Sequence, residues 1–543
     1  MFDWHAAVSR PGLAIVVLVQ FAALIAVCLL VGDNGWDDGA ITLAFSRTFA
    51  RHGVIALTPH SETVEGFSSV SWFLLNALPA LARPAYSFLI LASQIFAALC
   101  ICASTVLLAR TCALLRFDKL GATLTVVTFA AWGCSFSEAS NGMEMGLLTA
   151  AILMVVNELL APQPRLRWLA AGVVLAVATR FEASATVALL AVSVWSVPGR
   201  RAFRCVVLAG LGAVLLLTSW RLAVFSDVVP NTFWAKRWPP YAGFGLGGRL
   251  TGALELPSFF VVTLVVLAVV RASGFDLAGA VRARRRAVWI LACPIVGAVV
   301  VGALIGKHWG YWGRMPYAAF PFALVLSWLV IAPWVDARRG TPRIAVAVGL
   351  GASAIAVSML GFPSGSLAAA LHGGDFGVTP HTYAESGRVF RRFASAAALP
   401  HPTVLTPDLG GLALCCEELR VVDLALLSNR KLAHRGPAAL ADVLEAEAPH
   451  MIEAHWEWAS RGGLYDLPAF RTNYVPAFAG GTKLWLRRDV ARTIQDSGGG
   501  CTVPVDRHDL QEALRAHRYA NHDVPGDRKA FEAPGVVVTL DCN

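Results

Sequence analysis

Two adjacent aspartates, Asp37 and Asp38, directly follow the apolar stretch 11–31. A stretch of that length can cross a bilayer as a helix, which places both carboxylates at a membrane surface. A carboxylate there can accept a proton from an attacking hydroxyl, and a pair can hold a divalent cation such as Mg²⁺, Mn²⁺ or Ca²⁺. The sequence therefore makes Asp37 and Asp38 candidate catalytic residues and a candidate metal site.

Further acidic, basic and amide residues recur in the same loop and in four later loops between apolar runs. Arginine can bind phosphate oxygens through two parallel hydrogen bonds, and lysine adds a point charge. With a carboxylate as base, these residue types suit glycosyl transfer from a polyprenyl-phosphate sugar. The candidate substrate-binding residues are Glu65, Glu144, Arg180, Glu182, Asn231, Lys236, His308 and Arg314.

Five of these residues also have a structural interpretation. Asp38 is suited to be the N-cap of a following helix, and Asn231 could cap another. Arg180 and Glu182 could form a structural ion pair. His308 has no second ligand at metal-binding spacing. A shared site is favoured because all five loops lie on one side of the predicted topology.

The elements that must position these residues are membrane helices. The chain of 543 residues is 56% hydrophobic and only 15% charged, whereas a soluble protein carries about 25% charged residues. Every basic loop lies on one side of the membrane if the N-terminus is cytoplasmic. The eleven predicted spans are 11–31, 86–109, 119–135, 143–160, 166–180, 182–198, 203–222, 256–272, 287–306, 317–335 and 343–361.

Two segments near the aspartates are predicted not to cross. The run 67–82 is short, and counting it as a span would invert every later basic loop, so we expect it to be interfacial, re-entrant or packed against its neighbours. Ile41, Phe45 and Phe49 have helical spacing before Gly53. This pattern predicts a helix along the outer surface with Asp38 as its N-cap and Gly53 at its end.

After residue 370, glycine, proline, histidine and charge become more frequent, and short apolar strands alternate with helical pieces. The predicted fold is a polytopic all-α membrane domain of about eleven helices (1–365) followed by an α/β extracytoplasmic domain (371–543). The net charge of +9 comes largely from arginines in short loops, so the predicted partner is the lipid bilayer and not nucleic acid.

Seven segments follow one another along the chain in a recognisable order: WDDGAITLAFSRTFARHG, ETVEGFSSVSW, NGMEMG, TRFE, SDVVPNTFWAK, GKHWGYWGR and PDLGGLALCCEELRVVDLALL. The order of these motifs resembles the integral-membrane glycosyltransferases of the GT-C type, in particular the bacterial branch with the mycobacterial terminal arabinofuranosyltransferases. Phe67 stands where that branch has tyrosine, Phe181 where it has proline, and no aspartate precedes His308.

The resemblance implies a GT-C fold in a bacterial inner membrane, with the C-terminal domain outside the cytoplasm. It implies transfer of a sugar, with arabinofuranose as the branch's example, from a polyprenyl-phosphate donor to a cell-envelope glycan or glycolipid. Asp37 would be the base, and Asp38 would position a substrate or metal. Arg180, Lys236 and Arg314 would contact phosphate or sugar, with supporting roles for Glu65, Glu144, Glu182, Asn231 and His308.

Two other functions stay open at this stage. A transporter or flippase for a lipid-linked glycan would carry charge near the middle of the membrane, often on broken helices in paired halves. The charges here concentrate on one face, which favours an enzyme. The third alternative is a non-catalytic envelope assembly protein that keeps the fold without activity.

Overall fold

The computed structural model describes residues 10–195, 200–238, 245–306, 310–336, 341–372, 377–453, 458–459, 462–479, 482–504 and 536–540. Up to residue 372 the described chain is mostly helical, and the strands of the sheet begin at Thr403.

The helices of the first part are, in chain order, α1 (Arg10–Val31), α2 (Asp38–His52), α3 (Val70–Ala80), α4 (Tyr86–Leu114), α5 (Lys119–Ala130), α6 (Gly133–Ser140), α7 (Met145–Leu160), α8 (Leu166–Thr179), α9 (Ala183–Ser193), α10 (Arg201–Phe225), α11 (Asn231–Ala235), α12 (Gly245–Phe259), α13 (Val261–Ala272), α14 (Leu277–Ala283), α15 (Arg285–Ile305), α16 (Phe320–Asp336), α17 (Thr341–Ser358) and α18 (Ser364–His372). Short 3₁₀ turns lie at Tyr317–Ala319 and Met359–Gly361.

Within the described residues, seven segments are long and apolar enough to cross a membrane, or eight if the bent pair α12–α13 counts as one span. The seven are 10–31, 86–114, 119–140, 201–225, 285–305, 317–335 and 344–361.

The predicted total of eleven spans is not confirmed. The predicted spans 143–160, 166–180 and 182–198 correspond to α7, α8 and α9, which have 16, 14 and 11 residues. A helix needs about 20 residues to cross the hydrocarbon core at right angles. The structure supports a multi-pass helical bundle with at least seven candidate spans.

Close packing between helices holds together the bundle whose loops carry the predicted site residues. Trp132 and Phe320 lie 4.9 Å apart between ring centroids in the apolar core. Helices α12 and α15 cross at Gly252 and Gly302, where a Cβ on either glycine would lie 2.2–2.4 Å from the other's carbonyl oxygen. Only glycine permits that approach, and it places the loop after α15 beside α12.

The helix predicted after the two aspartates is confirmed as α2, and it ends where expected. Its location along the outer membrane surface stays a prediction. Gly53 closes the helix at φ +70°, and its amide donates to the carbonyl of Phe49. The N-cap prediction is wrong by one residue, because Asp37 occupies the cap position and Asp38 is the first helical residue. The run 67–82 forms the 11-residue helix α3, and its interfacial location stays a prediction.

The second part has the helices α19 (Pro380–Ala396), α20 (Gly410–Cys415), α21 (Arg430–Arg435), α22 (Leu440–Glu447), α23 (Pro468–Asn473) and α24 (Arg488–Asp496). Its strands are β1 (Thr403–Thr406), β2 (Arg420–Asp423), β3 (Met451–Ile452), β4 (Tyr474–Ala479), β5 (Thr482–Arg487), β6 (Cys501–Pro504) and β7 (Val536–Thr539). Further 3₁₀ turns lie at Pro437–Ala439 and Leu464–Asp466.

These strands form one mixed sheet in the order β2-β1-β3-β5-β4-β7-β6. Strands β2, β1 and β3 are parallel, and β5 runs antiparallel to both β3 and β4. An apolar cluster joins α2 to this region, with Leu43 and Phe45 on α2, Phe390 on α19 and Leu412 on α20. Helix α2 therefore packs against the C-terminal region, called the outer domain below. The predicted boundary between 365 and 371 stays a prediction.

Candidate active site

Asp38, the first residue of α2, accepts a hydrogen bond on its Oδ2 from Nη1 of Arg314. The Asp38 side chain is 40% exposed, whereas that of Arg314 is 14% exposed. Burial opposes the charge of Arg314, but the carboxylates of Asp38 and Glu144 hold the pKa of this guanidinium above its ordinary value. An accessible carboxylate thus lies beside a cation that keeps its charge.

The loop that carries Arg314 is fixed by two buried carboxylates. Glu255 on α12 accepts a 2.6 Å hydrogen bond from the backbone amide of Gly313. Glu138 on α6 accepts a hydrogen bond from the hydroxyl of Tyr311. Gly313 has φ +94°, and a Cβ there would lie 2.6 Å from a neighbouring sulfur, so only glycine suits this turn.

Arg180, directly after α8, forms a buried group with two glutamates. Its Nη1 donates a 2.7 Å hydrogen bond to Oε1 of Glu144, and its Nε donates a 2.8 Å bond to Oε1 of Glu182. Its Nη2 lies 3.7 Å from the sulfur of Met315, so the group adjoins the loop of Arg314. Burial opposes both charges, but the pairing raises the pKa of Arg180 and lowers the pKa of Glu182.

Lys236, the residue that follows α11, is half-buried beside the same group. Burial and the nearby charge of Arg180 and Arg314 lower the pKa of its ammonium to about 8, although Glu182 and Asp38 oppose this shift. Within the part of the chain that the structure describes, the ammonium makes no hydrogen bond or ion pair. A partly buried ammonium without such a partner is suited to bind an anion.

These residues come from five separate loops, and each lies next to the end of a helix or turn. Folding therefore places three carboxylates and three cations together at one end of the apolar helices. We call this group the charged cluster, which consists of Asp38, Glu144, Arg180, Glu182, Lys236 and Arg314.

Asp37 has a different environment from its neighbour. Its Oδ2 accepts a 2.8 Å hydrogen bond from the amide of Gly410, and its Oδ1 accepts a 2.7 Å bond from the amide of Gly411. The residue is 7% exposed. Burial raises the pKa of Asp37 to about 7, against the effect of the two amides. Both carboxylate oxygens are thus occupied by the outer domain.

Two other predicted site residues bind protein groups away from the cluster. Glu65 forms a bidentate ion pair with Arg221 of α10, with Nε–Oε2 and Nη2–Oε1 distances of 2.6 and 2.9 Å. Arg221 also lies 5.0 Å above the ring of Phe181. Asn231 donates from its backbone amide to the carbonyl of Glu65 and from its side chain to that of Leu427. These contacts join loops, α10 and the outer domain.

Six of the ten predicted site residues thus form the charged cluster. Asp37 binds the outer domain, and Glu65 and Asn231 bind other protein groups. His308 lies outside the described residues. The catalytic and substrate-binding roles of all ten residues stay predictions.

Comparison with known proteins adds little to this geometry. No protein-family model and no curated protein matches the chain. The fold is similar to the crystal structure of ArnT from Cupriavidus metallidurans in the apo state, at 14% sequence identity and a TM-score of 0.48. The match covers 80% of this chain and 92% of that one. At that TM-score the likeness supports no functional conclusion, so the residues themselves must carry the argument.

Sequence reasoning missed three buried charged residues that shape the region. Arg221 lies inside the predicted span 203–222, and Glu255 lies directly before the predicted span 256–272. A charged residue inside such a stretch is costly unless it is paired, so its presence alone could have identified both. Arg47 lies among the apolar positions of α2, and no pattern in the sequence distinguishes it from a surface arginine.

The predicted metal site does not fit the arrangement of its two residues. Both oxygens of Asp37 accept backbone amides, and Asp38 is paired with Arg314. Within the described ranges, no three His, Cys, Asp or Glu side chains are grouped so that they could hold a metal ion. No step proposed below uses a divalent cation, and its involvement stays a prediction that chelation can test.

Proposed function

We propose that the protein is a membrane glycosyltransferase. It takes a sugar from a polyprenyl-phosphate donor at the outer face of a bacterial inner membrane and transfers it to a cell-envelope glycan or glycolipid. The observation that carries this proposal is the charged cluster, in which an accessible carboxylate lies beside cations at the ends of apolar helices. Arabinofuranose is the proposed sugar because it is the sugar of the branch that the motif order resembles.

Lys236 and Arg314 are the proposed phosphate ligands. Lys236 has no hydrogen-bond or ion-pair partner among the described residues, so a phosphate oxygen can occupy that position. Arg314 keeps its positive charge next to Asp38. Negative charge develops on the phosphate oxygen as the bond to the sugar breaks, and both cations stabilise that charge. Arg180 is already paired with two glutamates and holds the group in place.

Asp38 is the proposed general base. It accepts the proton of the acceptor hydroxyl while the new bond to the anomeric carbon forms and the bond from that carbon to the phosphate oxygen breaks. The resemblance favours Asp37 for this role, but the geometry favours Asp38. Asp38 is 40% exposed next to the proposed phosphate ligands, whereas both oxygens of Asp37 accept backbone amides.

One observation favours a second function, the transport of a lipid-linked glycan. Helices α12 and α13 form an apolar pair that is bent by 68° at a short break, and broken helices are common in transporters. The charged cluster lies at helix ends and draws on five loops, which is the arrangement we expect of a surface reaction. Non-catalytic assembly is the third alternative.

The test is donor turnover by the purified full-length protein in nanodiscs, with a panel of polyprenyl-phosphate sugars and a glycan acceptor. We expect transfer by the wild type and a rate about 10³-fold lower for Asp38→Asn. The matched control is Asp276→Asn, whose side chain is 68% exposed and pairs with Arg282 outside the cluster. It should retain the wild-type rate.

Two results would overturn these assignments. Wild-type turnover by Asp38→Asn would exclude Asp38 as the base. A folded wild type that transfers no sugar but moves a labelled lipid-linked glycan between leaflets would replace the transferase by the transporter.

A further inference from the structure

Helix α20 of the outer domain is bound at both ends by α2. At its beginning, the amides of Gly410 and Gly411 donate to the two carboxylate oxygens of Asp37. At its end, Nη1 of Arg47 donates a 2.6 Å hydrogen bond to the carbonyl of Leu414, and Nη2 donates a 2.8 Å bond to that of Ala413. We call these six residues the α2–α20 junction.

The two charged residues of the junction, Asp37 and Arg47, are buried and hydrogen-bond to backbone groups of α20. Arg47 is 2% exposed, and its guanidinium lies 3.4 Å from Glu417, just beyond α20. Asp37 and Arg47 are ten residues apart, which is about 15 Å along a helix. The two charge-assisted contacts lie at opposite ends of α20, so together they fix both the position and the rotation of α20 relative to α2.

Glycine is required for this close approach. A Cβ at Gly410 would lie 2.7 Å from the carbonyl oxygen of Asp37, and one at Gly411 would lie 2.0 Å from the carbonyl oxygen of Pro380. The loop before α2 has further bonds to the same region, since the amide of Asp37 donates to the carbonyl of Val378. The two glycines of the segment PDLGG therefore allow α20 to pack directly against the start of α2.

The junction ends one residue away from the charged cluster. Asp37 and Asp38 are adjacent, and successive residues of a helix point about 100° apart. A contact that fixes Asp37 therefore also fixes the direction in which Asp38 leaves the backbone. If α2 rotated or shifted by one residue, Asp38 would lose its contact with Arg314.

We propose that the outer domain positions the catalytic carboxylate. Asp37 and Arg47 bind the two ends of α20 and so hold Asp38 opposite Arg314. Both are positioning residues, and neither contacts the substrate. This inference rests on the proposed function, in which Asp38 is the base.

The test compares Arg47→Met, Arg47→Lys and Asp37→Asn in the full-length protein. Arg47 is diagnostic because it lies about two and a half helical turns from Asp38, the proposed base. Asp442→Asn and Arg492→Met on the exposed surface of the outer domain are the matched controls. Three quantities are measured for each: backbone hydrogen exchange over 408–416, the dissociation constant of the polyprenyl-phosphate sugar, and the single-turnover transfer rate at saturating donor.

We expect Arg47→Met to speed exchange over 408–416 and to lower the single-turnover rate, each at least tenfold. The donor dissociation constant should stay within twofold, and Arg47→Lys should recover part of the rate because an ammonium can still donate to the carbonyls. A purely structural role would change exchange and leave the rate per bound donor unchanged, which would overturn the proposal. Unchanged exchange would overturn the junction itself.

The failure of this inference differs from the failure of the proposed function. An active wild type with a fully active Arg47→Met variant refutes positioning alone. A wild type that transfers no sugar refutes the transferase, and with it the base to be positioned, while hydrogen exchange still reports whether the junction holds α20.

Discussion

Asp37 and Asp38 are neighbours in sequence, but they belong to two regions with different properties. At the α2–α20 junction, Asp37 is buried and both of its oxygens accept backbone amides. In the charged cluster, Asp38 is accessible and faces Arg314, and the ammonium of Lys236 has no hydrogen-bond or ion-pair partner within the described chain. At the junction both carboxylate oxygens of Asp37 are bound by the protein, whereas the charged cluster keeps capacity for a ligand.

The same contrast separates two ion-paired arginines. Arg221 is almost completely buried and forms a bidentate pair with the buried carboxylate of Glu65. Arg314 pairs with a carboxylate that is 40% exposed. An enclosed pair contributes to structure, and a pair at an accessible surface can be exchanged for a substrate. The predictions below test that difference.

The largest expected effect is on stability. Arg221→Met leaves Glu65 as an uncompensated buried carboxylate, which should lower the free energy of unfolding by about 3–5 kcal/mol. Denaturant titration of the purified protein measures this loss. The double variant Arg221→Met, Glu65→Gln should regain part of it, and a single variant as stable as the wild type would contradict the structural role.

The next effect is on donor binding. Lys236→Met removes a charge-assisted contact to phosphate and should raise the donor dissociation constant roughly 10- to 100-fold. The folded fraction should be unchanged, because Lys236 makes no hydrogen bond or ion pair to the described residues. Titration with fluorescent polyprenyl-phosphate sugar measures the change. Wild-type affinity would remove Lys236 from the binding site.

Lys236 also predicts a pH dependence. Its pKa is lowered to about 8, so the ammonium is charged at pH 7 and mostly neutral at pH 9. Because the phosphate binds the charged form, donor affinity should fall roughly tenfold from pH 7 to pH 9. Lys236→Arg should abolish this dependence, since arginine stays charged. A flat profile in the wild type would contradict the prediction.

The smallest expected effect is that of chelation. With the oxygens of Asp37 bound to amides and Asp38 paired with Arg314, removal of divalent cations should change the transfer rate by less than twofold. The rate is measured before and after dialysis against a chelator. A much larger loss that Mg²⁺, Mn²⁺ or Ca²⁺ restores would support the metal site expected from the sequence.

Local patterns predicted the parts of the fold that depend on local physics. The spacing of Ile41, Phe45 and Phe49 with Gly53 predicted α2 and its end, because helix periodicity and a left-handed stop are properties of a short segment. The basic loops alternate along the chain with the loops that carry the charged cluster. This alternation predicted that the cluster residues lie on one side of the membrane. The predicted number of spans is not confirmed, since α8 and α9 have only 14 and 11 residues, fewer than the roughly 20 that a perpendicular crossing needs.

The different environments of Asp37 and Asp38 could not be predicted from a local pattern. They depend on Gly410 and Gly411, more than 370 residues later, and on the rotation of one helix. No local pattern encodes such a contact. Arg47 is similar, because its partners are backbone carbonyls that could belong to any residue type.

The most direct test of the central claim is the single-turnover transfer rate of Asp38→Asn and Asp37→Asn, each saturated with donor and each checked for folding. We predict a loss of about 10³-fold for Asp38→Asn with donor affinity retained. For Asp37→Asn we predict a smaller loss that is accompanied by faster hydrogen exchange over 408–416. The reverse order, with Asp37→Asn inactive at normal exchange and Asp38→Asn active, would contradict the account and make Asp37 the base.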